Sequence, residues 1–202
     1  MPSLAPPRLI LGSGSAYRKE LLARLRLPFE VVVPDIDESP LPAETPPQTA
    51  LRLAQAKASA IASRVGPALI IGSDQVATLD GLQIGKPGTH ERALAQLQIM
   101  RGREVVFHTA LCLLDSRPAA PMPLQIENIQ TTVLFRDLSD AELDAYLRIE
   151  QPYDCAGSAK NEGLGIALIA SIISTDPSAL TGLPLIALTS MLRNTGQAFF
   201  QS

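Results

Sequence analysis

Apolar and polar positions follow two periods along this chain, one typical of strands and one typical of helices. In the first half, short apolar runs with strand character are separated by segments in which apolar residues recur every three or four positions. The pattern predicts strands at residues 8–12, 29–33 and 68–73, and helices at residues 16–26 and 47–65.

The second half carries turn and capping signals between longer strand patterns. Asp80-Gly81 favours a hairpin turn, and Thr89 and Ser139 are candidate helix N-caps, the latter in a capping box. A last helix is predicted to begin with Pro184. The hairpin and three further strands are predicted at residues 76–84, 104–114, 126–135 and 166–174. We therefore predict an α/β protein whose mixed, twisted central sheet is flanked by helices.

Composition restricts the class of protein. The 202 residues are 46% apolar and 18% charged, which favours a single folded domain over residues 1–202 with a loose, proline-rich terminus at residues 1–7. A net charge of -3 gives no overall positive field, so neither nucleic acid nor an anionic membrane is an expected partner. Cys112 and Cys155 are expected to be reduced thiols, and no signal peptide is evident, so a cytoplasmic location is predicted.

A candidate phosphate site lies at the first strand–helix junction. An apolar strand runs through the small residues 13–15 into a helix that carries Arg18 in its first turn. Free backbone N–H groups at a helix N-terminus and the planar donors of a guanidinium both suit phosphate oxygens. Arg18 shares a helix face with Leu22, so it is favoured over Lys19 as the ligand. An ordinary cap and turn is the alternative interpretation.

Two groups of carboxylates are candidates for a metal site or a catalytic base. Asp35, Asp37 and Glu38 form an acidic stretch, and Asp74 follows a predicted apolar strand. Carboxylates without histidine or cysteine partners suit a hard divalent ion such as Mg²⁺ or Mn²⁺. Ligands of α/β sheets bind beyond the carboxyl ends of parallel strands, so Asp74 is the better catalytic candidate. The alternatives are a solvated loop and a turn residue.

The candidate cations are spread along the chain. Lys86 lies in a Gly-Lys-Pro turn, Lys160 lies in a loop of small residues, and Lys57 lies beside the apolar stripe of the second helix. Together with Arg18 they would neutralise a triphosphate if the fold brings them together, although each alone could be a surface residue. The chain has no nucleophile elbow and no cysteine with a basic partner, so attack by an activated water is the favoured chemistry.

Several ordered segments match a known family pattern: LILGSGSAYRKELL, DIDES, LRLAQAKA, LIIGSDQVATLDG, GKP, CAGSAKNEGLGI and TGLPLIAL. In these segments the chain resembles the Maf family of nucleotide pyrophosphatases over nearly its whole length. The resemblance implies a two-lobed α/β fold of the Maf/ITPase-like kind, a cleft, a divalent metal and a possible homodimer. It also implies release of pyrophosphate from a nucleoside triphosphate. Within the family the chain is most similar to the subgroup that hydrolyses 7-methyl-GTP.

The resemblance further implies roles for individual residues. Asp74 matches the family's proton acceptor. The positions around the phosphates and the metal are matched by Arg18, Glu38, Lys57 and Lys86, with Glu38 and Asp74 as the predicted metal ligands. Base choice is associated with the positions of Tyr17, Gln75 and Glu162. The predicted substrate-binding residues are Ser13, Ser15, Tyr17, Gln75, Lys160 and Glu162.

Two positions depart from the family pattern. Tyr17 stands at the stacking position, where members of this subgroup often have tryptophan, so weaker selectivity is expected. Residues 13–16 read Ser-Gly-Ser-Ala instead of the common threonine or serine followed by proline, so the loop is expected to be softer. Neither difference removes a charged group.

The chemistry of the base also favours 7-methyl-GTP. Guanine offers two adjacent donors, which the acceptor-only carboxylate of Glu162 can accept, whereas uracil and thymine place one donor between two carbonyls. Methylation at N7 makes the purine cationic, so stacking on Tyr17 gains a cation–π contribution. Hydrolysis of dTTP or UTP is the alternative activity, and a non-catalytic nucleotide-binding regulator of cell division is the alternative class.

Overall fold

The computed structural model describes residues 7–200. Its strands are β1 (Leu9–Gly12), β2 (Glu30–Val31), β3 (Leu69–Leu79), β4 (Leu82–Ile84), β5 (Glu104–Asp115), β6 (Leu124–Phe135) and β7 (Ile169–Ser174). Its helices are α1 (Ala16–Ala23), α2 (Pro46–Ala62), α3 (His90–Met100), α4 (Asp140–Glu150) and α5 (Leu185–Asn194), with 3₁₀ segments at Ala156–Ser158 and Leu164–Leu168. Apart from Pro7, the loose terminus predicted for residues 1–7 lies outside the described residues.

All seven strands belong to one sheet, in the order β2-β1-β3-β5-β6-β7, with β4 paired to the outer half of β3. The pairs β1–β2 and β1–β3 are parallel, and the other pairs are antiparallel. The predicted mixed sheet flanked by helices is therefore confirmed. The long strands β3, β5 and β6 each contribute residues to two separate buried clusters.

The core consists of three buried apolar clusters around these strands. On one face of the sheet, α2 packs against β1, β3 and β5 through Ala54, Ala58 and Ile61. On the other face, α1 and α5 cover one end of the long strands, and α3 and α4 cover the other end. This face is therefore divided into two parts, and the space between them forms a cleft.

The strand that holds Asp74 is longer than predicted. The sequence indicated a strand at residues 68–73 that ends before Asp74, but β3 continues to Leu79 because its whole length pairs with β5. Two other strands are shorter than predicted. The strand expected at residues 29–33 has only two residues, and the one expected at residues 166–174 begins at Ile169 because a 3₁₀ segment precedes it.

The helices differ from the predictions mainly at their ends and in one buried face. α1 stops at Ala23, since Arg26 has a left-handed backbone with φ of 55°. α2 covers 46–62 instead of 47–65, and its buried face includes Leu53 and Lys57. Pro184 is the N-cap of α5 instead of its first residue. Within residues 7–200, no helix is long and apolar enough to cross a membrane.

The local signals for turns and caps are confirmed. Asp80 and Gly81 form the β3–β4 turn with φ of 51° and 79°, which is the backbone of the tight turns that join hairpin strands. Thr89 caps α3, and Ser139 caps α4 in a capping box with Glu142.

Candidate active site

Close packing of α2 on the sheet places one lysine beside one buried carboxylate. Gly12 and Gly72 are partners in the register of β1 and β3. A Cβ at Gly72 would stand 2.1 Å from Ala54 O, and one at Gly12 would stand 2.7 Å from Ile61 Cδ1. Only glycine lets the helix backbone approach this closely. The side chain of Lys57, one turn after Ala54, therefore reaches β3 next to the glycine pair.

Asp74 lies where one edge of β3 is open. β1 pairs with β3 as far as Gly72, and β4 pairs with it from Ala77 onward. In the described part of the chain, residues 73–76 thus have a strand neighbour only on the β5 side. The side chains of Asp74, Gln75 and Val76 line a cavity at this gap. Asp74 is inside a strand instead of after one, but the gap in the sheet gives it access to a ligand.

The cavity has a volume of about 880 Å³ and lies between the two halves of the fold. Most of the predicted site residues line it, namely Ser13, Ser15, Tyr17, Arg18, Glu38, Lys57, Asp74, Gln75, Lys86 and Glu162. Lys160 is outside the lining. Its ammonium lies 6.0 Å from the centre of the Tyr17 ring and 3.6 Å from a carboxylate oxygen of Glu150. Lys160 therefore lies beside Tyr17, a residue that lines the cavity, but does not line the cavity itself.

One lysine joins the two predicted metal ligands. Lys57 Nζ lies 2.6 Å from Asp74 Oδ1 and 2.8 Å from Glu38 Oε1. Burial raises the pKa of Asp74, and the charges of Lys57 and Arg18 only partly oppose this. Glu38 is also partly desolvated, but its hydrogen bond to Lys57 and the charge of Lys86 bring its pKa below the usual value. The two carboxylates thus differ, since the pKa of Asp74 is shifted upward from its ordinary value and the pKa of Glu38 is shifted downward from its own.

Arg18 is fixed by a glycine carbonyl from a distant part of the chain. Its Nε donates to Gly182 O at 2.8 Å, and its Nη1 donates to Ser13 Oγ at 3.3 Å. Ser15 caps α1 by accepting from the Arg18 backbone N–H. Gly182 has φ of 108°, and a Cβ there would stand 3.3 Å from Arg18 Nε. Desolvation lowers the pKa of Arg18, and nearby Asp74 opposes that effect.

The cavity wall also presents polar and aromatic groups. Gln75 Nε2 lies within 3.1 Å of Thr109 Oγ1, Ala179 O and Leu180 O, so its amide nitrogen is directed to the protein and its oxygen remains for a ligand. Tyr17 is half-buried, and Glu162 is exposed at the cavity wall. Partial desolvation raises the pKa of Glu162, against the attraction of Lys160.

Sequence reasoning missed the segment that closes the cavity from the side of α5. Thr181 and Gly182 line it, and Asn161 Nδ2 donates to Thr181 Oγ1 at 3.2 Å. Ser73 Oγ lies 2.9 Å from both Gly182 O and Ala110 O. The signal was present in the Thr-Gly-Leu-Pro motif, which was interpreted as the start of a helix and as part of a family segment but not as a source of site residues.

Comparison with known proteins identifies the family of this chain. Residues 8–195 match the family described as Maf-like protein. The 7-methyl-GTP pyrophosphatase of Burkholderia thailandensis is 68% identical over 199 residues, which is 97% of this chain and 91% of that protein. The 7-methyl-GTP pyrophosphatase of Cupriavidus metallidurans is 66% identical over 200 residues, which is 99% of each chain. Because the match extends over nearly the whole sequence and includes the segments that form the cavity, the chain belongs to the family of Maf-like proteins.

Proposed function

We propose that this protein is a nucleoside triphosphate pyrophosphatase that converts 7-methyl-GTP to 7-methyl-GMP and pyrophosphate. The observation that carries the proposal is one cavity that holds a buried carboxylate with a raised pKa, Asp74, together with the cations of Arg18, Lys57 and Lys86. Relatives at 68% and 66% identity bear this activity in their names. The cavity volume of about 880 Å³ is within the range of small-molecule sites.

Asp74 is the proposed general base. A base works best when its pKa is close to the working pH, and burial moves the pKa of Asp74 in that direction. Lys57, in contact at 2.6 Å, orients the carboxylate and keeps it ionised. A water that donates its proton to Asp74 would attack the α-phosphorus, and pyrophosphate would leave. The cations of Arg18 and Lys86 would stabilise the negative charge that moves onto the leaving group.

The residues present fit a divalent ion that also uses substrate oxygens. The described residues contain no group of three or more histidine, cysteine or acidic side chains able to hold a metal. Glu38 and Asp74 supply two carboxylates 2.8 and 2.6 Å from the same ammonium, and Mg²⁺ is commonly bound by one or two carboxylates with phosphates and waters. Glu38 and Asp74 would hold such an ion. When bound, it would supply positive charge to the phosphate oxygens.

Base choice is proposed to depend on three side chains of the cavity wall, which would surround the base. Glu162 would accept from the two adjacent donors of the guanine edge. Tyr17 would stack on the methylated ring, which is cationic. Gln75 would offer an acceptor, because its amide nitrogen is already bonded to the protein. Lys160 lies 6.0 Å from the Tyr17 ring centre, so it would help to hold the Tyr17 ring in place and would not contact the substrate.

A product assay with labelled water tests the proposal. Purified protein is given 7-methyl-GTP, GTP, UTP and dTTP in turn, with Mg²⁺, with Mn²⁺ or with a chelator, in ¹⁸O-enriched water. We expect preferred release of pyrophosphate from 7-methyl-GTP, dependence on the metal, and ¹⁸O in the monophosphate product. Preference for UTP or dTTP would support the pyrimidine alternative, and binding without turnover would support a non-catalytic regulator. A homodimer and a cytoplasmic location remain predictions.

A further inference from the structure

A single side chain outside the cavity joins the loops that carry its two ends. Gln96 lies on α3, half-buried, and is not part of the cavity lining. Its Nε2 donates to Gly85 O at 3.0 Å, and its Oε1 accepts from Ser158 Oγ at 2.7 Å. Because a carbonyl can only accept, the contact with Gly85 fixes which way the amide points. Gln96 therefore connects the turn that holds Lys86 with the loop that leads to Glu162.

The loop on the Glu162 side is held in an unusual backbone conformation. Ser158 is fully buried and has φ of 54°, a left-handed conformation that serine rarely adopts. Its hydroxyl bonds to Gln96, and its carbonyl accepts from Tyr146 Oη at 3.3 Å. The same Tyr146 oxygen accepts from the Lys160 backbone N–H at 3.3 Å. These bonds fix the backbone immediately before Glu162.

The turn on the Lys86 side has fewer supports. Residues 85–88 read Gly-Lys-Pro-Gly, and Gly88 has φ of 74°. Among residues 7–200, this turn is tied to the rest of the fold by Gly88 N, which donates to Tyr153 O at 3.0 Å, and by Gly85 O, which accepts from Gln96. Lys86 itself is exposed, and the neighbouring Pro87 is buried and packs the turn against the fold. The bond to Gln96 adds a directional constraint at Gly85, the residue immediately before Lys86.

We propose that Gln96 is a positioning residue that sets the spacing between the phosphate end and the base end of the cavity. It holds Lys86 and Glu162 in one rigid unit, so a nucleotide must match both at once. This inference rests on the proposed function, since it assigns Lys86 to the phosphates and Glu162 to the base. Gln96 touches no substrate in this account and acts only through the two loops.

Three variants separate the two contacts. Gln96→Leu removes both, Gln96→Glu keeps an acceptor for Ser158 but loses the donor to Gly85, and Ser158→Ala removes only the Ser158 bond. For Gln96→Leu we expect a rise in KM for 7-methyl-GTP of about two- to tenfold, as for the loss of one or two neutral hydrogen bonds. We also expect a smaller preference for 7-methyl-GTP over UTP. Ser158→Ala should mainly reduce the preference for 7-methyl-GTP over UTP. Gln96→Glu should mainly raise the KM for 7-methyl-GTP.

The control is Gln98→Leu, which lies two positions further along α3 and hence on another side of the helix. Hydrogen exchange provides a readout that needs no activity: residues 84–88 and 155–163 should both exchange faster in Gln96→Leu and not in the control. If Gln96→Leu does not fold, the KM, substrate preference and hydrogen exchange of Gln96→Glu and Ser158→Ala test the proposal instead. Unchanged KM, preference and exchange, or a lower melting temperature alone, would overturn the proposal.

Failure of the proposed function would look different. If the wild-type protein hydrolyses another triphosphate instead, the substrate assignment is wrong, and the same KM and preference ratios measured with that triphosphate still test Gln96. If it hydrolyses none, the exchange of the two loops decides whether Gln96 couples them.

Discussion

Replacing Lys57 with methionine removes the ammonium between Asp74 and Glu38 while keeping a side chain of similar length. Lys57 is 5% exposed and Asp74 is 7% exposed, so the carboxylate would stay buried without its partner. Lys57 lowers the pKa of Asp74 against the effect of burial, so its removal raises that pKa further. An opposite charge in direct contact typically changes a carboxyl pKa by about one to three units. We therefore expect the acidic limb of the pH–kcat profile to move up by about one to three pH units.

Stability should change with pH in a matching way. The pKa of Asp74 in the folded state lies above its ordinary value of 3.8, so ionised Asp74 disfavours folding above that pH. In Lys57→Met this penalty grows by roughly 1.4 kcal/mol for each unit of added pKa shift. The loss of stability is expected to be largest at neutral and alkaline pH, to shrink as the pH falls through the raised folded-state pKa, and to disappear only below 3.8, where Asp74 becomes protonated in both states.

The assay combines pH profiles of kcat with thermal melts between about pH 5 and about pH 8. Lys19→Met is the matched control, because Lys19 is exposed on α1 next to Arg18. Adding Asp74→Asn to Lys57→Met should recover part of the lost stability. An acidic limb that stays in place, or a stability loss that is equal at both ends of the pH range, would show that Lys57 does not control the ionisation of Asp74.

Three further predictions concern the base, the packing and the acidic loop. Glu162→Gln should lower the ratio of kcat/KM for 7-methyl-GTP to kcat/KM for UTP, and an unchanged ratio would remove Glu162 from base choice. Gly72→Ala forces a Cβ to 2.1 Å from a carbonyl oxygen of α2, so the melting temperature should fall by several degrees or the yield of soluble protein should be lost. The control Gly66→Ala, whose Cβ would have no atom within 4 Å, should keep the wild-type melting temperature. A hydrogen bond from Arg52 on α2 lowers the pKa of Glu44 to about 2, below the usual 4.5. The melting difference between wild type and Glu44→Gln should therefore be present above about pH 4.5 and close as the pH falls toward 2, while a constant difference would exclude this pair as its cause.

The sequence was sufficient for features that depend on local chemistry. The Asp80-Gly81 turn, the Thr89 cap and the Ser139 capping box each depend on residues within a few positions, and all three are present in the structure. The mixed sheet also followed from the order of strand and helix patterns. These predictions succeed because the backbone preference and the side-chain hydrogen bond come from the same short segment.

Features that depend on distant contacts were not predictable in the same way. Asp74 lies inside β3 because the strand continues along β5, and that pairing depends on a distant segment, in which Asp74 itself is opposite Ala110. The burial of Lys57 depends on Gly72, which lets α2 approach the sheet. The carbonyl of Gly182 that holds Arg18 is 164 positions away from it. The helical period of the sequence shows which residues share the apolar face of a helix, but it does not show how closely that helix packs on the sheet.

The isosteric change Asp74→Asn is the sharpest test of whether Asp74 activates the attacking water. Single-turnover hydrolysis of 7-methyl-GTP and equilibrium binding of the same nucleotide are measured in parallel with the wild-type protein. Loss of the general base is expected to slow hydrolysis by about 10²–10⁴-fold or more while binding is retained. Hydrolysis at the wild-type rate would contradict the assignment of Asp74 as the residue that activates water.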